Sequence, residues 1–314
     1  MNPSAAPAAK PALEAAQPLP KIAVPDSCNY IGVFLSMNCP RGCSYCMNNR
    51  DSNARGKPLA SGKQWVEHLN RLETALPLTL HGGEPMTHPD FYFILKNLKP
   101  ELKLDMLSTF PSGVKEFIAR ADPQRFRRDL PYPSIRITNH FETMDLEQTV
   151  KDAKALVDAG FDAGLCLVDV PWDKPRVDRA RDYIKSNGIR CTIKPYLGRH
   201  GGKLYGQFRY GGACDKAFRK DVECRGDNLL LASDGKVYRC YADLFNSNGE
   251  GVIGDFFSPE FRIEEKFRAC GNFGHCAWCD VQDKYDRFGR PGYCAVKIRG
   301  WGVKEVEHKK IDWR

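Results

Sequence analysis

Between residues 30 and 194, short apolar runs alternate with amphipathic segments six times, and no hairpin signal interrupts them. Strands joined in this way by helices must lie parallel in one sheet, so this alternation constrains the fold more than any other feature. The runs are "YIGVFL", "LPLTL" leading to His81, "LKLDMLS", "SIRIT", "AGLCLVDV" and "IRCTIK". Ser61 and Gln64 form a capping-box pattern ahead of Trp65, Leu69 and Leu72. Asp145 is placed to cap a helix closed by Gly160, and Gly188 follows the next helix. Roughly 165 residues is short for an eight-unit barrel. The expected fold is therefore α/β, a partial (β/α)6 TIM-like barrel, with a doubly wound sheet as the alternative.

The character of the chain changes after about residue 205. Glycines and aromatics increase, and six of the thirteen cysteines fall between Cys224 and Cys294. "NLLLASDGKVYRC" reads as two apolar strands joined by an Asp-Gly turn. The expected division is an Ala/Pro-rich disordered leader over 1–27, a barrel over 28–213, and a separate small cysteine-rich module over 214–314. The leader lacks the order of a secretory signal, and no run approaches 18 apolar residues, so a cytoplasmic chain with no membrane contact is expected.

Thirteen cysteines in close clusters, without an export signal, point to metal or cluster ligation rather than disulfides. Cys39, Cys43 and Cys46 lie within eight residues, directly after the first strand, on the face where parallel α/β folds carry their sites. Three thiolates on one loop suit a cubane with one open iron, and structural zinc is the competing reading. The second strand ends in Gly82, Gly83, Glu84 and Pro85. The two glycines allow close backbone approach to a ligand, and the Glu84 carboxylate can accept from an ammonium group. The formal charge of +8 counts every cysteine as neutral and is weak evidence for an anionic partner.

With "CPRGCSYC" followed one βα unit later by "GGEP", the chain resembles the radical S-adenosylmethionine (SAM) superfamily. The resemblance implies a [4Fe–4S] cluster on Cys39, Cys43 and Cys46, with SAM chelated at the open iron. Gly82, Gly83 and Glu84 would contact its methionyl end, and Tyr45 would sit beside the adenine. Ser108, Thr109 and Thr138 follow strands three and four and would be further SAM contacts. Cys224 and Cys240, spaced C-x10-G-x4-C, and the CxxC pair Cys276 and Cys279 are similar to the Twitch form of the SPASM extension. That likeness implies an auxiliary [4Fe–4S] cluster on these four, with Cys270 and Cys294 as possible extra ligands and a zinc ribbon as the alternative.

Cys214, in a glycine-rich segment ahead of the module, is a candidate hydrogen-atom donor, with an unremarkable loop thiol as the bland reading. Cys166 and Cys191 lie inside strands as small hydrophobes. His140 reads as a loop histidine, while Asp169 and Lys194 could bind substrate or each other. The implied activity is reductive SAM cleavage and hydrogen abstraction, leading to oxidation, epimerisation or cross-linking. The substrate would be a peptide or a small molecule, and the electron donor a flavodoxin or ferredoxin. Only about 27 residues precede strand one, too few for a winged-helix peptide-recognition domain. The alternatives are a non-catalytic zinc or iron–sulfur protein contacting nucleic acid, or a tRNA-modifying member, although the chain shows no RNA-binding module.

Overall fold

A computed structural model describes residues 18–50, 58–128, 131–282 and 294–307. The chain enters through a short strand, β1 (Ile22–Ala23), then runs β2 (Tyr30–Ser36), α1 (Met47–Arg50), α2 (Gly62–Leu69), β3 (Leu72–Glu73) and β4 (Leu78–Gly82). It continues α3 (Phe91–Asn97), β5 (Leu104–Ser108), α4 (Lys115–Arg120), β6 (Ile135–Thr138), α5 (Leu146–Asp158), β7 (Ala163–Asp169), α6 (Lys174–Ser186) and β8 (Cys191–Pro195). The capping box on Ser61 and Gln64 is formed, Asp145 caps α5 through Gln148, and Gly160 and Gly188 take the positive φ that closes a helix.

Strands β2, β4, β5, β6, β7 and β8 pair in parallel in that order. They form the expected partial barrel, open at the β8 edge. On one face Ile31, Val33 and Leu35 of β2 join Trp65 and Leu69 of α2, Phe91 and Ile94 of α3, Leu156 of α5 and Ile184 of α6 in one core. On the other face Tyr30, Phe34 and Met37 enter a second core. With both faces covered, all seven residues of β2 are buried, which is why it reads as a continuous apolar run.

The C-terminal region adds β9 (Gly198–His200), β10 (Lys203–Tyr205), β11 (Lys220–Gly226), β12 (Asn228–Leu231), β13 (Lys236–Tyr238), α7 (Tyr241–Phe245), β14 (Val252–Asp255), β15 (Arg268–Phe273) and β16 (Val296–Arg299). The hairpin predicted from the sequence is formed by β12 and β13. It is not a detached unit. β12 pairs in parallel with β2, so the central sheet continues as β14-β13-β12-β2-β4-β5-β6-β7-β8 across the expected boundary at 213/214. Leu229 and Leu231 pack into the first core and Leu230 into the second, so burial on both faces holds the hairpin there. A three-stranded antiparallel sheet, β15-β11-β16, stands beside it.

The expected disorder over 1–27 also needs correction at its end. Ile22–Ala23 pairs with Leu72–Glu73, Ile22 is buried, and Arg71 Nε donates to the Pro20 carbonyl at 2.8 Å. Residues 1–17 lie outside the described residues. No helix among the described residues is long and apolar enough to cross a membrane.

Candidate functional site

Cys39, Cys43 and Cys46 occupy the loop between β2 and α1, at the C-terminal end of the parallel sheet. Cys43 is buried, while Cys39 and Cys46 are half-buried. Burial pushes the Cys43 thiol up, Thr143 opposes that by hydrogen bonding, and the adjacent thiols Cys46 and Cys39 push it further. The loop is braced from across the barrel mouth. Ser44 donates through its N–H (2.7 Å) and hydroxyl (2.6 Å) to Glu142, and Arg41 donates to the Thr143 carbonyl at 3.0 Å and Thr109 Oγ1 at 3.5 Å. The loop sequence carries no local signal for Arg41, Glu142 and Thr143 as braces, because they meet only when the loop after β6 folds over the cysteines.

The GGEP segment lies against the same loop. A Cβ on Gly82, at φ +140°, would stand 2.1 Å from the Ser36 carbonyl oxygen, and one on Gly83 2.4 Å from that of Met37. Gly83 N–H donates to Ser36 O and Glu84 N–H to Asn38 O, both at 2.9 Å. The close approach that the glycines permit is thus to the cysteine loop's own backbone. Glu84 is fully buried, and its carboxylate accepts from Ser108 Oγ (2.7 Å), Thr109 N–H (2.8 Å), Thr109 Oγ1 (2.9 Å) and Met86 N–H (3.3 Å). The carboxylate thereby ties the ends of β4 and β5 together. Burial raises its pKa against those four hydrogen bonds. Thr138 ends β6, half-buried, and the amide of Asn139 beside it donates to Thr149 Oγ1 at 2.9 Å.

Tyr45 packs between His140 and Trp172, and its hydroxyl stands 2.8 Å from His140 Nδ1. Burial, followed by the Arg41 charge, pulls His140 down to about 4, so the ring is neutral at pH 7 and Nδ1 accepts from Tyr45. Folded His140 binds fewer protons than unfolded His140, so stability falls as pH drops from about 6.5 toward 4. His140→Gln should flatten that acid limb by about 2 kcal/mol, allowing for partial exposure. Urea midpoints of variant and parent at pH 7 and pH 4 check it. Asp169 pairs with Lys174 at 2.8 Å. Cys166 is fully buried and Cys191 partly so.

In the C-terminal region no disulfide joins the described cysteines. Cys224 on β11, Cys240 capping α7, Cys270 on β15, and Cys276 line one buried cavity of about 20 Å³ with Arg239, Asp243 and Asp280. Burial pushes Cys240 and Cys276 up, and a hydrogen bond with Cys270 followed by burial does the same to Cys224. Cys270 is pulled down to about 6 by the same hydrogen bond with Cys224, so the thiols of this cavity shift in opposite directions. The described residues contain no His, Cys, Asp or Glu trio already gathered as a single-ion site. Of the four expected auxiliary ligands, Cys279 is not among those lining the cavity, whereas Cys270 is. Cys294 donates to the carbonyls of Asp280 (3.2 Å) and Val296 (2.9 Å).

A larger, half-open cavity of about 440 Å³ runs from Met47, next to Cys46, to Cys276. Cys214, Lys216, Phe245, His275 and Trp278 line it. Cys214 is pushed up by burial and by the neighbouring Cys276 and Asp280.

Residues 33–188 match the family model described as the Radical SAM superfamily. The chain belongs to the radical SAM superfamily. Its cofactors are accordingly a [4Fe–4S] cluster and SAM. Cys39, Cys43 and Cys46 fit the cluster as a donor set, because three thiols crowd one loop and burial disfavours ionisation of Cys43 without a cation. Among solved structures, this radical SAM chain is similar to "Native anSMEcpe with bound AdoMet and Kp18Cys peptide", at 12% identity, covering 76% of this chain and 78% of that one, with a TM-score of 0.48. It is also similar to Streptococcus suis SuiB at 15% identity, covering 73% of this chain and 63% of that one, with a TM-score of 0.49. No curated protein matches the chain.

Proposed function

We propose that this radical SAM enzyme abstracts a hydrogen atom from a peptide or a small molecule held in the 440 Å³ cavity, and that the reaction ends as a net oxidation. Cys39, Cys43 and Cys46 hold the catalytic cluster. Gly82 and Gly83 meet the methionyl end of SAM, with Glu84 locking their backbone to Ser108 and Thr109. Tyr45, oriented by His140, flanks the adenine, and Thr138 lies at the ribose side. When bound, cluster and SAM together supply a 5′-deoxyadenosyl radical able to take hydrogen from an unactivated carbon.

The observation that carries this reading is the position of the larger cavity. One wall is Met47, adjacent to the cysteine loop, and the other is Cys276, which also lines the cavity of buried thiols. A substrate there lies between two thiol-rich sites, and its volume is in the usual range for small ligands. A second metal centre on the module from residue 214 onward suits removal of a second electron, hence oxidation. Cys214 on the cavity wall would be the hydrogen donor in a redox-neutral outcome. A flavodoxin or ferredoxin would supply the reducing electron.

Reconstituted protein, reduced with dithionite, should form 5′-deoxyadenosine from SAM. Supplying uniformly deuterated peptides in one reaction and a deuterated small-molecule extract in another identifies the substrate class, because deuterium moves into 5′-deoxyadenosine only from the true substrate. Absence of 5′-deoxyadenosine from protein carrying a full cluster would overturn the proposal.

A further inference from the structure

Resting on the reading that the C-terminal region holds an auxiliary iron–sulfur cluster, we infer that its fourth thiol is Cys270 rather than the Cys279 of the CxxC pair. Pairing between β11 and β15 sets Val222 opposite Cys270 and Cys224 opposite Arg268. Directly opposed residues share a sheet face, as do residues two apart on one strand, so Cys224 and Cys270 project from the same face as diagonal neighbours. They are close enough to share a hydrogen bond, and both line the small buried cavity with Cys240 and Cys276. Cys279 lies in the short turn Trp278–Asp280, between Cys276 and Asp280, and packs against the same core, but unlike those two neighbours it does not line the cavity.

One guanidinium and two carboxylates, Arg239, Asp243 and Asp280, line the same cavity. Arg239 reaches it from the end of β13 and is held by Asp243 at 2.8 Å and by the Ala269 carbonyl at 2.6 Å. The Ala269 contact fixes the arginine to the residue preceding Cys270, so a guanidinium faces the place where four thiolates would gather. At about 20 Å³ the cavity is smaller than a cubane, and the four thiols must turn outward as the cluster enters.

The test compares full-length wild type, Cys270→Ser and Cys279→Ser after anaerobic reconstitution, by iron and sulfide content and EPR of the reduced protein. Wild type should carry about eight irons, with Cys279→Ser unchanged. Cys270→Ser should drop toward four or show a three-iron signal. Loss of iron in Cys279→Ser, with Cys270→Ser retaining it, overturns the assignment. If Cys270→Ser fails to fold by circular dichroism, the Cys279→Ser result still decides. Four irons in wild type instead overturns the auxiliary-cluster reading itself, and this assignment with it.

Discussion

Replacing Cys39, Cys43 and Cys46 together with alanine should reduce 5′-deoxyadenosine formation to background while leaving any iron of the C-terminal region bound. Cys39, Cys43 and Cys46 are the three thiols of the loop after β2. The fold should survive the change. Cys39 and Cys46 are half-exposed, and buried Cys43 acts in packing as a small hydrophobe whose truncation costs about 1 kcal/mol. Circular dichroism and iron content measured with the activity separate loss of the site from loss of the fold. A variant that folds, lacks this iron and still forms 5′-deoxyadenosine would remove the three cysteines from the proposed role.

The largest stability effect expected from a single substitution is at Gly82. An alanine there must adopt φ +140° with its Cβ 2.1 Å from the Ser36 carbonyl oxygen. That oxygen is backbone and already accepts from Gly83 N–H at 2.9 Å, so it cannot retreat without opening the contact that positions the cysteine loop. Strain and clash together should cost about 3 kcal/mol or more and lower cluster occupancy. Gly42 is the matched control. It lies inside the cysteine motif, but a Cβ there meets nothing within 4 Å, so Gly42→Ala should change stability by less than about 0.5 kcal/mol. Thermal unfolding of the three proteins checks both values, and equal stability of Gly82→Ala and wild type would show that the glycine serves ligand approach alone.

The barrel could be read from the sequence because its signals are local. Six apolar runs, the caps at Ser61 and Asp145, and the closing glycines 160 and 188 each act within a few residues, and the structure forms them. The attachment of the hairpin could not be read in the same way. β12 meets β2 across roughly two hundred residues of chain, a contact with no local signature. "NLLL" did carry a hint, since an unbroken apolar run marks a strand covered on both faces. Short runs of that kind also occur in isolated hairpins.

The candidate site divides on the same line. The cysteine loop and GGEP are contiguous motifs, so their residues could be named from spacing. Glu84 belongs to the same contiguous motif, but its contacts depend on partners from another strand. Ser108 at the end of the next strand and Thr109 just after it donate to the carboxylate, which spacing cannot show. Cys279 stands out in the sequence because CxxC is a visible pair, whereas Cys270 reaches the same cavity as Cys224 only through the antiparallel register of β11 and β15. Arg41 and Glu142 became visible only once the loops after β2 and β6 had met.

The measurement that bears most directly on the central claim is EPR of the dithionite-reduced, reconstituted protein, recorded with and without SAM. Cluster signals should be present, and SAM should shift the one that disappears in the Cys39/Cys43/Cys46 alanine variant while leaving the other unchanged. Protein that takes up zinc rather than iron, or whose iron–sulfur signal SAM leaves unaltered, would contradict the account.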